Sequence, residues 1–264
     1  MAMLIDIDDF KKEQIYEIWD YAFDGVVKKI EKNVAWSFEG NGIRTRTTFV
    51  QAFQQLGLSY VELPNFLKTN ESIEDLAGYM DPFYDLYVIR EKDHLRMIDF
   101  ARATSKPVIN AMSCNAHPCE VLTDAHYLHS KYGSLQSLKI LLWGPVTNVF
   151  KSWHSLAKVL DVDVTHYCPE IYHKKNDGIT YCDQLIGKYD VVITDAWPDD
   201  FSDDDYSLSE KKLCEIGLPE LLPTPPVSIG RELLFKSSSY DNFSGYIQKK
   251  GLLKMQKSII TYLL

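Results

Sequence analysis

Apolar residues recur at helical spacing near the start of the chain. Phe10, Ile15, Ile18, Trp19, Ala22, Phe23, Val26, Val27 and Ile30 fall on one face behind the capping candidates Asp8 and Asp9, which predicts a long amphipathic first helix. The period then alternates. "NVAWSFE" reads as a strand, followed by a helix from about Arg44 to Leu56, a strand "LSYVEL", a short helix from Ser72 and a strand "YDLYVIR". A helix through "DHLRMIDFARA", a strand "KPVINAM" and a helix over "HPCEVLTDAHYLHSKYG" complete this half. After the polar stretch "SKYGSLQS", read as a hinge, come a strand "LKILLWG", a helix from Asn148 to Leu160, and strands "DVTHYC" and "YDVVITDAW". An acidic loop, a strand "PELLPT" and a final helix ending in "KSIITYLL" follow. Repeated βα implies parallel sheets. The expected fold class is therefore α/β, with two Rossmann-like domains. The first covers residues 1–133, completed by the C-terminal helix at about 246–264, and the second covers 134–245.

Composition narrows the function classes. With 264 residues, 45% apolar and 25% charged, the chain has the make-up of a soluble globular protein. "MAMLIDIDDFKKEQ" lacks the basic patch and long apolar run of a signal peptide, and no later run approaches the roughly 20 apolar residues that a bilayer needs. A cytoplasmic protein without a membrane partner is expected. The net charge of -9 argues against nucleic acid as a partner, since no basic stripe offsets it. Cys114, Cys119, Cys168, Cys182 and Cys214 are an odd number without CxxC spacing, so neither a disulfide framework nor a metal site is indicated. His117, His126 and His129 fit no strong ligand motif, and no cofactor is expected.

Open α/β sheets bind ligands at the carboxyl ends of their strands. Those positions here are "EGNGIRTR", Arg90, "SCNAHPCE", "GPVTN", "DAW" and "TPPVS". In the first, Gly42 to Thr45 sit where a helix begins, a place whose unpaired N–H groups suit an anion. Arg44 and Arg46 add bidentate donors, and Thr45 and Thr47 add hydroxyls. The alternative is that these arginines are solvated or paired with carboxylates such as Glu39.

"SFEGNGIRTRTTFVQAFQQLG" resembles the segment of the aspartate/ornithine carbamoyltransferase family that reads F-E, then S-T-R-T-R and an apolar helix ending L-G. "NESIEDLA", the arginine ending "DLYVIR", and "VINAMSCNAHPCEVLTD" resemble further segments of that family, in the same order. "LLWGPVTNVFKSW" and "DVVITDAW" resemble its ornithine branch. The resemblance implies the carbamoyltransferase fold and an amine attacking carbamoyl phosphate, with phosphate released. It puts Gly42, Ile43, Arg44, Thr45, Arg90 and His117 on carbamoyl phosphate. Thr45, Arg90 and His117 would donate to the developing oxyanion, and Glu120 stands beside the carbamoyl group. Asn148, Asp195, Thr224 and Pro225 are placed on the amine acceptor. Family members form trimers that lend a loop to the neighbouring site, here "LKTNESIED" with Lys68, Asn70 and Ser72; a homotrimer is the corresponding expectation.

The departures redirect part of that reading. Gly42 and Ile43 stand where the family has Ser-Thr, which removes two hydroxyl donors and predicts weaker phosphate binding. Glu120 replaces a Gln, and a buried carboxylate beside a phosphate dianion is pushed towards its neutral form. "PDDFSDDD" replaces S-M-G, Pro223 to Pro226 replace H-C-L-P, and Leu252 stands where the family has an arginine. These changes leave three acceptor-side readings: an ornithine-like amine, an unusual amine such as 2,3-diaminopropionate, or a non-catalytic binding homologue. The acidic run Asp199, Asp200, Asp203, Asp204 and Asp205 reads either as an edge for a second cationic group or as a solvated loop. Cys119 reads as a small core residue rather than a nucleophile. A dinucleotide-binding oxidoreductase fails for lack of GxGxxG.

Overall fold

The computed structural model describes residues 3–23, 29–174 and 178–264. Val26 and Val27, assigned above to the first helix, lie outside them. The chain divides into two compact units, Met1–Thr123 with Lys250–Leu264, and Asp124–Lys249.

In the first unit, β1 (Met3–Leu4) leads through a single 3-10 turn to α1 (Lys12–Phe23), then β2 (Asn33–Phe38), α2 (Ile43–Leu56) and β3 (Ser59–Glu62). Next come α3 (Ile73–Met80), β4 (Leu86–Arg90), α4 (His94–Ala103), β5 (Val108–Met112) and α5 (Pro118–Tyr132), which continues into the second unit. Asp8 and Asp9 do not cap α1 as predicted. They belong to the 3-10 turn Ile7–Asp9, where the Asp9 carboxylate accepts from Ile5 and Asp6 N–H at 2.6 and 3.1 Å. The five strands are all parallel, in the order β1-β5-β4-β2-β3.

The second unit carries β6 (Ile140–Trp143), α6 (Asn148–Leu160), β7 (Val164–Tyr167), β8 (Thr180–Cys182) and β9 (Val191–Asp195). It ends with α7 (Glu210–Glu215), β10 (Glu220–Thr224) and α8 (Gly245–Lys249), and α9 (Gly251–Leu263) returns to the first unit. Its strands are again parallel, ordered β10-β9-β6-β7-β8. β1, β8 and α7 are absent from the sequence reading. Two- and three-residue edge strands and a single charged helical run carry too little periodicity to register.

Local signals fix the helix starts. Ser72 Oγ accepts from Asp75 N–H at 3.1 Å, Asp93 from Arg96 at 3.0 Å and Thr147 from Phe150 at 3.2 Å, each supplying one of the acceptors that a helix start lacks. The central strands β2, β4, β5, β6, β9 and β10 are buried on both faces, as strands covered by helices on either side are, whereas the edge strand β3 is exposed along its length. Tyr87, Phe100 and Phe66 pack their rings within 6 Å of one another in the first unit, and Trp143, Tyr167 and Tyr206 form a comparable stack in the second. α9 lies on α1 and α2, where Gln14 Nε2 donates to Tyr262 at 2.9 Å and Lys257 Nζ to Gln55 at 2.9 Å. Among the described residues no helix is long and apolar enough to cross a membrane.

One polar cluster anchors β10. Buried Glu220 accepts from Tyr127 Oη at 2.7 Å, Lys131 Nζ at 2.8 Å and Tyr132 Oη at 2.6 Å. Burial alone would raise its pKa, but these donors and Ser244 outweigh it and hold the carboxyl below its ordinary value. A depressed folded pKa stabilises above the unfolded value of about 4.3 and loses that contribution as pH falls through the folded pKa. Glu220→Ala is expected to cost roughly 2–3 kcal/mol near neutral pH. The loss should shrink in acid, which urea unfolding at a series of pH values would measure.

Candidate active site

Sheet order decides where the polar groups can gather. In the first unit the chain leaves β2 for β3 on one side and returns for β4 on the other, so the sheet reverses direction of growth between β2 and β4. That crevice is where open α/β sheets place ligands, and Phe38 and Arg90 face each other there in register. In the second unit the reversal lies between β6 and β9, beside Gly144 and Asp195.

At the first crevice, α2 starts at Ile43 without any side-chain cap, and its first turn carries no acidic residue. The early N–H groups and the positive helix end are therefore open to an anion. Arg90 lies against this point, its Cζ 5.0 Å from the centre of the Phe38 ring, while Arg46 Cζ sits 4.5 Å from the same ring. Arg46 is engaged in an ion pair with Glu62, so the pairing alternative raised above holds for Arg46, though with Glu62 and not Glu39. Arg44 is exposed and Thr45 is buried. Burial pushes the Arg90 pKa down, and the Glu39 charge partly restores it.

Glu39 is itself committed elsewhere. It takes Lys68 Nζ at 2.6 Å and Lys92 N–H at 2.8 Å, and the bond from Lys68 is the leading reason why its pKa falls to about 2. Lys68 thus pairs within its own chain. Ser72 is used as the α3 cap, and Asn70 is exposed.

His117 is positioned by a tight polar turn. Ser113 N–H donates to Ala116 O at 2.9 Å, Ala116 N–H returns to Ser113 Oγ at 3.1 Å, and Asn110 Nδ2 ties this strand end to Ile5 O at 2.8 Å. His117 and Glu120 are both buried, at the head of α5. Cys119 Sγ donates to Asn110 O at 3.7 Å, and burial pushes its thiol up to about 12; it is an inert core residue, as read from sequence.

At the second crevice Asn148 opens α6 and Thr147 caps it. Gly144 adopts φ +119°, and a side chain there would meet Trp197 Nε1 at 2.8 Å. Its carbonyl accepts from buried His166 Nε2 at 2.9 Å, and His154 Nε2 lies 3.0 Å from His166 Nδ1. Since a carbonyl only accepts, His166 carries its proton on Nε2. The Asp195 carboxyl is buried, and desolvation raises its pKa to about 7 against the Thr147 and Ala196 hydrogen bonds that lower it. Asp124, also buried, is raised well above its ordinary value by burial and by Asp195, with Lys249 Nζ 3.5 Å away. Thr224 is buried at the end of β10, paired in register with Asp195, and Pro225 follows it.

The acidic run is exposed throughout, as in the solvated reading. Leu252 is buried within α9, so nothing polar replaces the family arginine at that position. Sequence reasoning missed a clamp on the "DAW" turn. Glu232 Oε1 accepts from Trp197 N–H at 2.9 Å, and Arg231 Nη2 donates to Pro198 O and Phe201 O at 2.6 and 3.1 Å. No local signal could have announced it, since the partners lie 30 to 35 residues apart in sequence. No group of three or more His, Cys, Asp or Glu among the described residues is arranged to hold a metal ion.

The model of the carbamoyl-P binding domain of aspartate/ornithine carbamoyltransferases matches residues 3–130. An ornithine carbamoyltransferase of Methanococcus maripaludis is 31% identical over 228 residues, covering 78% of this chain and 71% of the relative. The chain belongs to the aspartate/ornithine carbamoyltransferase family. A second ornithine carbamoyltransferase, from Methanococcus aeolicus, is 28% identical over 251 residues, 87% of this chain and 78% of the relative. Solved ornithine carbamoyltransferases from Thermus thermophilus (TM-score 0.89, 22% identity, 99% of each chain) and Pyrococcus furiosus (TM-score 0.86, 22% identity, 99% of this chain and 96% of that one) share the fold. The carbamoyltransferase fold expected from sequence is the observed one.

Asp195 gives this family member a titration in the physiological range. Its carboxyl is neutral below about pH 7 and charged above. Because the folded state holds the proton more tightly, this residue should make stability fall as pH rises from about 4 towards 7. Asp195→Asn should remove that part of the pH dependence, which comparing denaturant midpoints of the two proteins across pH 4 to about 8 would read.

Proposed function

We propose that the chain transfers the carbamoyl group of carbamoyl phosphate to the amine of an ornithine-like amino acid or diamine and releases phosphate. The observation that carries this reading is the seat of Arg90 on the uncapped start of α2, at the reversal point of a sheet matched by the carbamoyl-P binding model. The relatives' shared name supports the same chemistry.

In this reading the N–H groups from Gly42 to Thr45, with Arg44 and the Thr45 hydroxyl, hold the phosphate. Arg90 bridges a phosphate oxygen and the carbamoyl oxygen, and His117 donates to the carbamoyl oxygen as charge builds on it. Preorganised donors of this kind each contribute about 10²–10³ in rate. Glu120 accepts from the carbamoyl NH2. The acceptor arrives as a neutral amine, its nitrogen attacks the carbonyl carbon, the C–O bond to phosphate breaks, and the amine proton leaves with the phosphate. Asn148, Asp195, Thr224 and Pro225 hold the acceptor, and the raised Asp195 pKa favours a cationic group that would restore its charge.

We place the protein in the cytoplasm as a homotrimer. Asn70 is the residue of the "LKTNESIED" loop best placed to serve a neighbour, because Lys68 and Ser72 are engaged within their own chain. Sedimentation should give three chains; a monomer would remove the borrowed loop from the mechanism.

The decisive assay follows phosphate release from carbamoyl phosphate with ornithine, lysine, 2,3-diaminopropionate, putrescine and aspartate, with mass detection of the ureido product. One diamino compound is expected to react, and His117→Ala or Arg90→Ala should lower kcat by about 10²-fold or more. Phosphate binding without any ureido product would instead support the non-catalytic reading.

A further inference from the structure

The replacement of a hydroxyl residue by Gly42 looks like a loss in the sequence, but the geometry around it is full. A carbon placed on Gly42 would lie 2.5 Å from Phe38 Cζ and 2.7 Å from both Cζ and Nη1 of Arg90. Side chains do not make contacts that short. The space that any residue other than glycine would need is taken by the Arg90 guanidinium and the edge of the Phe38 ring.

Resting on the function proposed above, we infer that Gly42 is the residue that determines how this chain grips phosphate. It admits the Arg90 guanidinium to the N-terminus of α2, so that a charged planar fork replaces a side-chain hydroxyl as the donor at that point.

Three features hold the fork there. Arg90 ends β4 in register with Phe38, so the backbone delivers the side chain to the crevice. The Phe38 ring, 5.0 Å from Arg90 Cζ, gives the guanidinium a face to lie on. Among the described residues the guanidinium makes no hydrogen bond, and the carboxylate whose charge acts on it, Glu39, is engaged by Lys68 and by Lys92 N–H. A partly buried guanidinium beside a positive helix end, with its donors unspent, is arranged for a dianion. Arginine offers two parallel donors to phosphate where serine offers one. The site is therefore rebuilt with a different donor, and the weaker binding predicted from the missing hydroxyls does not follow.

This makes a prediction opposite to the one drawn from the resemblance. Restoring the family residue by Gly42→Ser would supply a hydroxyl, and on resemblance alone would tighten binding. On the geometry it displaces Arg90 and loosens binding. The experiment titrates inorganic phosphate and carbamoyl phosphate calorimetrically into wild type, Gly42→Ser and Gly42→Ala, with kcat and KM for carbamoyl phosphate in parallel. Both variants are expected to bind each ligand about tenfold or more weakly, with KM rising to match. Thermal unfolding of the unliganded proteins, repeated in an Arg90→Ala background, gives a readout independent of binding. Gly42→Ser should lower Tm more in the presence of Arg90 than in its absence. Equal losses in both backgrounds, including failure to fold in both, would mean that Gly42 serves Phe38 alone and would overturn the inference. So would Gly42→Ser binding phosphate as well as wild type, whatever amine reacts. Should wild type yield no ureido product, the transferase reading fails on its own, and the Tm coupling and phosphate titration still decide the role of Gly42.

Discussion

Central parallel strands buried on both faces leave polar side chains few places to go, and that constraint organises both units. Along β4 and β5 nearly every residue is apolar and buried until the last one or two, and the first exposed chemistry appears at Arg90 and just beyond Met112. The second unit repeats this: β9 stays buried to its end, where Thr194 and Asp195 lie, and β10 ends at Thr224. Because the strands all run one way, these ends fall on one edge of each sheet. The reversal of strand order then opens a crevice on that edge.

The two crevices have opposite electrostatic character. In the first, a helix start without a cap, an exposed arginine and a partly buried one converge in a chain whose net charge is -9. Local arrangement therefore overrides the overall balance. In the second, Asp195 and Asp124 are buried with pKa values raised chiefly by desolvation, and the charge on Asp195 raises that of Asp124 further. A polyanion would find neither surface suitable. The proposed division, a dianion at the first crevice and a cationic amine at the second, rests on this contrast.

What could be read from the sequence follows from the range of the interactions. The main strands and helices were legible because their periodicity is local, and so were the strand-end segments, since a strand's end is visible wherever its alternation stops. The contacts that tune the site were not. The Glu232 clamp on Trp197 joins residues 35 apart, and the His166 bond to the Gly144 carbonyl crosses between strands. Gly42 shows the same limit most clearly. Read along the chain it is a missing side chain, and only the fold shows that a residue 48 positions later occupies its space.

The remaining question is why a guanidinium at this point is not simply neutralised by the carboxylates beside it. The charge of Glu39 acts on Arg90 and Glu91 follows it in the chain; a close pair with either would spend its donors. Glu39 stays charged, but Lys68 and the Lys92 N–H take its two oxygens. Glu91 is buried, and desolvation together with the charge on Glu39 raises its pKa, so it resists adding a second negative charge. One carboxylate is thus occupied and the other is held towards its neutral form. Among the described residues the guanidinium of Arg90 is left beside the α2 terminus with its hydrogen-bond donors unspent, and only the charge of Glu39 acts on it in part. Lys68 is what occupies Glu39: its ammonium holds one carboxylate oxygen and so keeps that oxygen from pairing with Arg90.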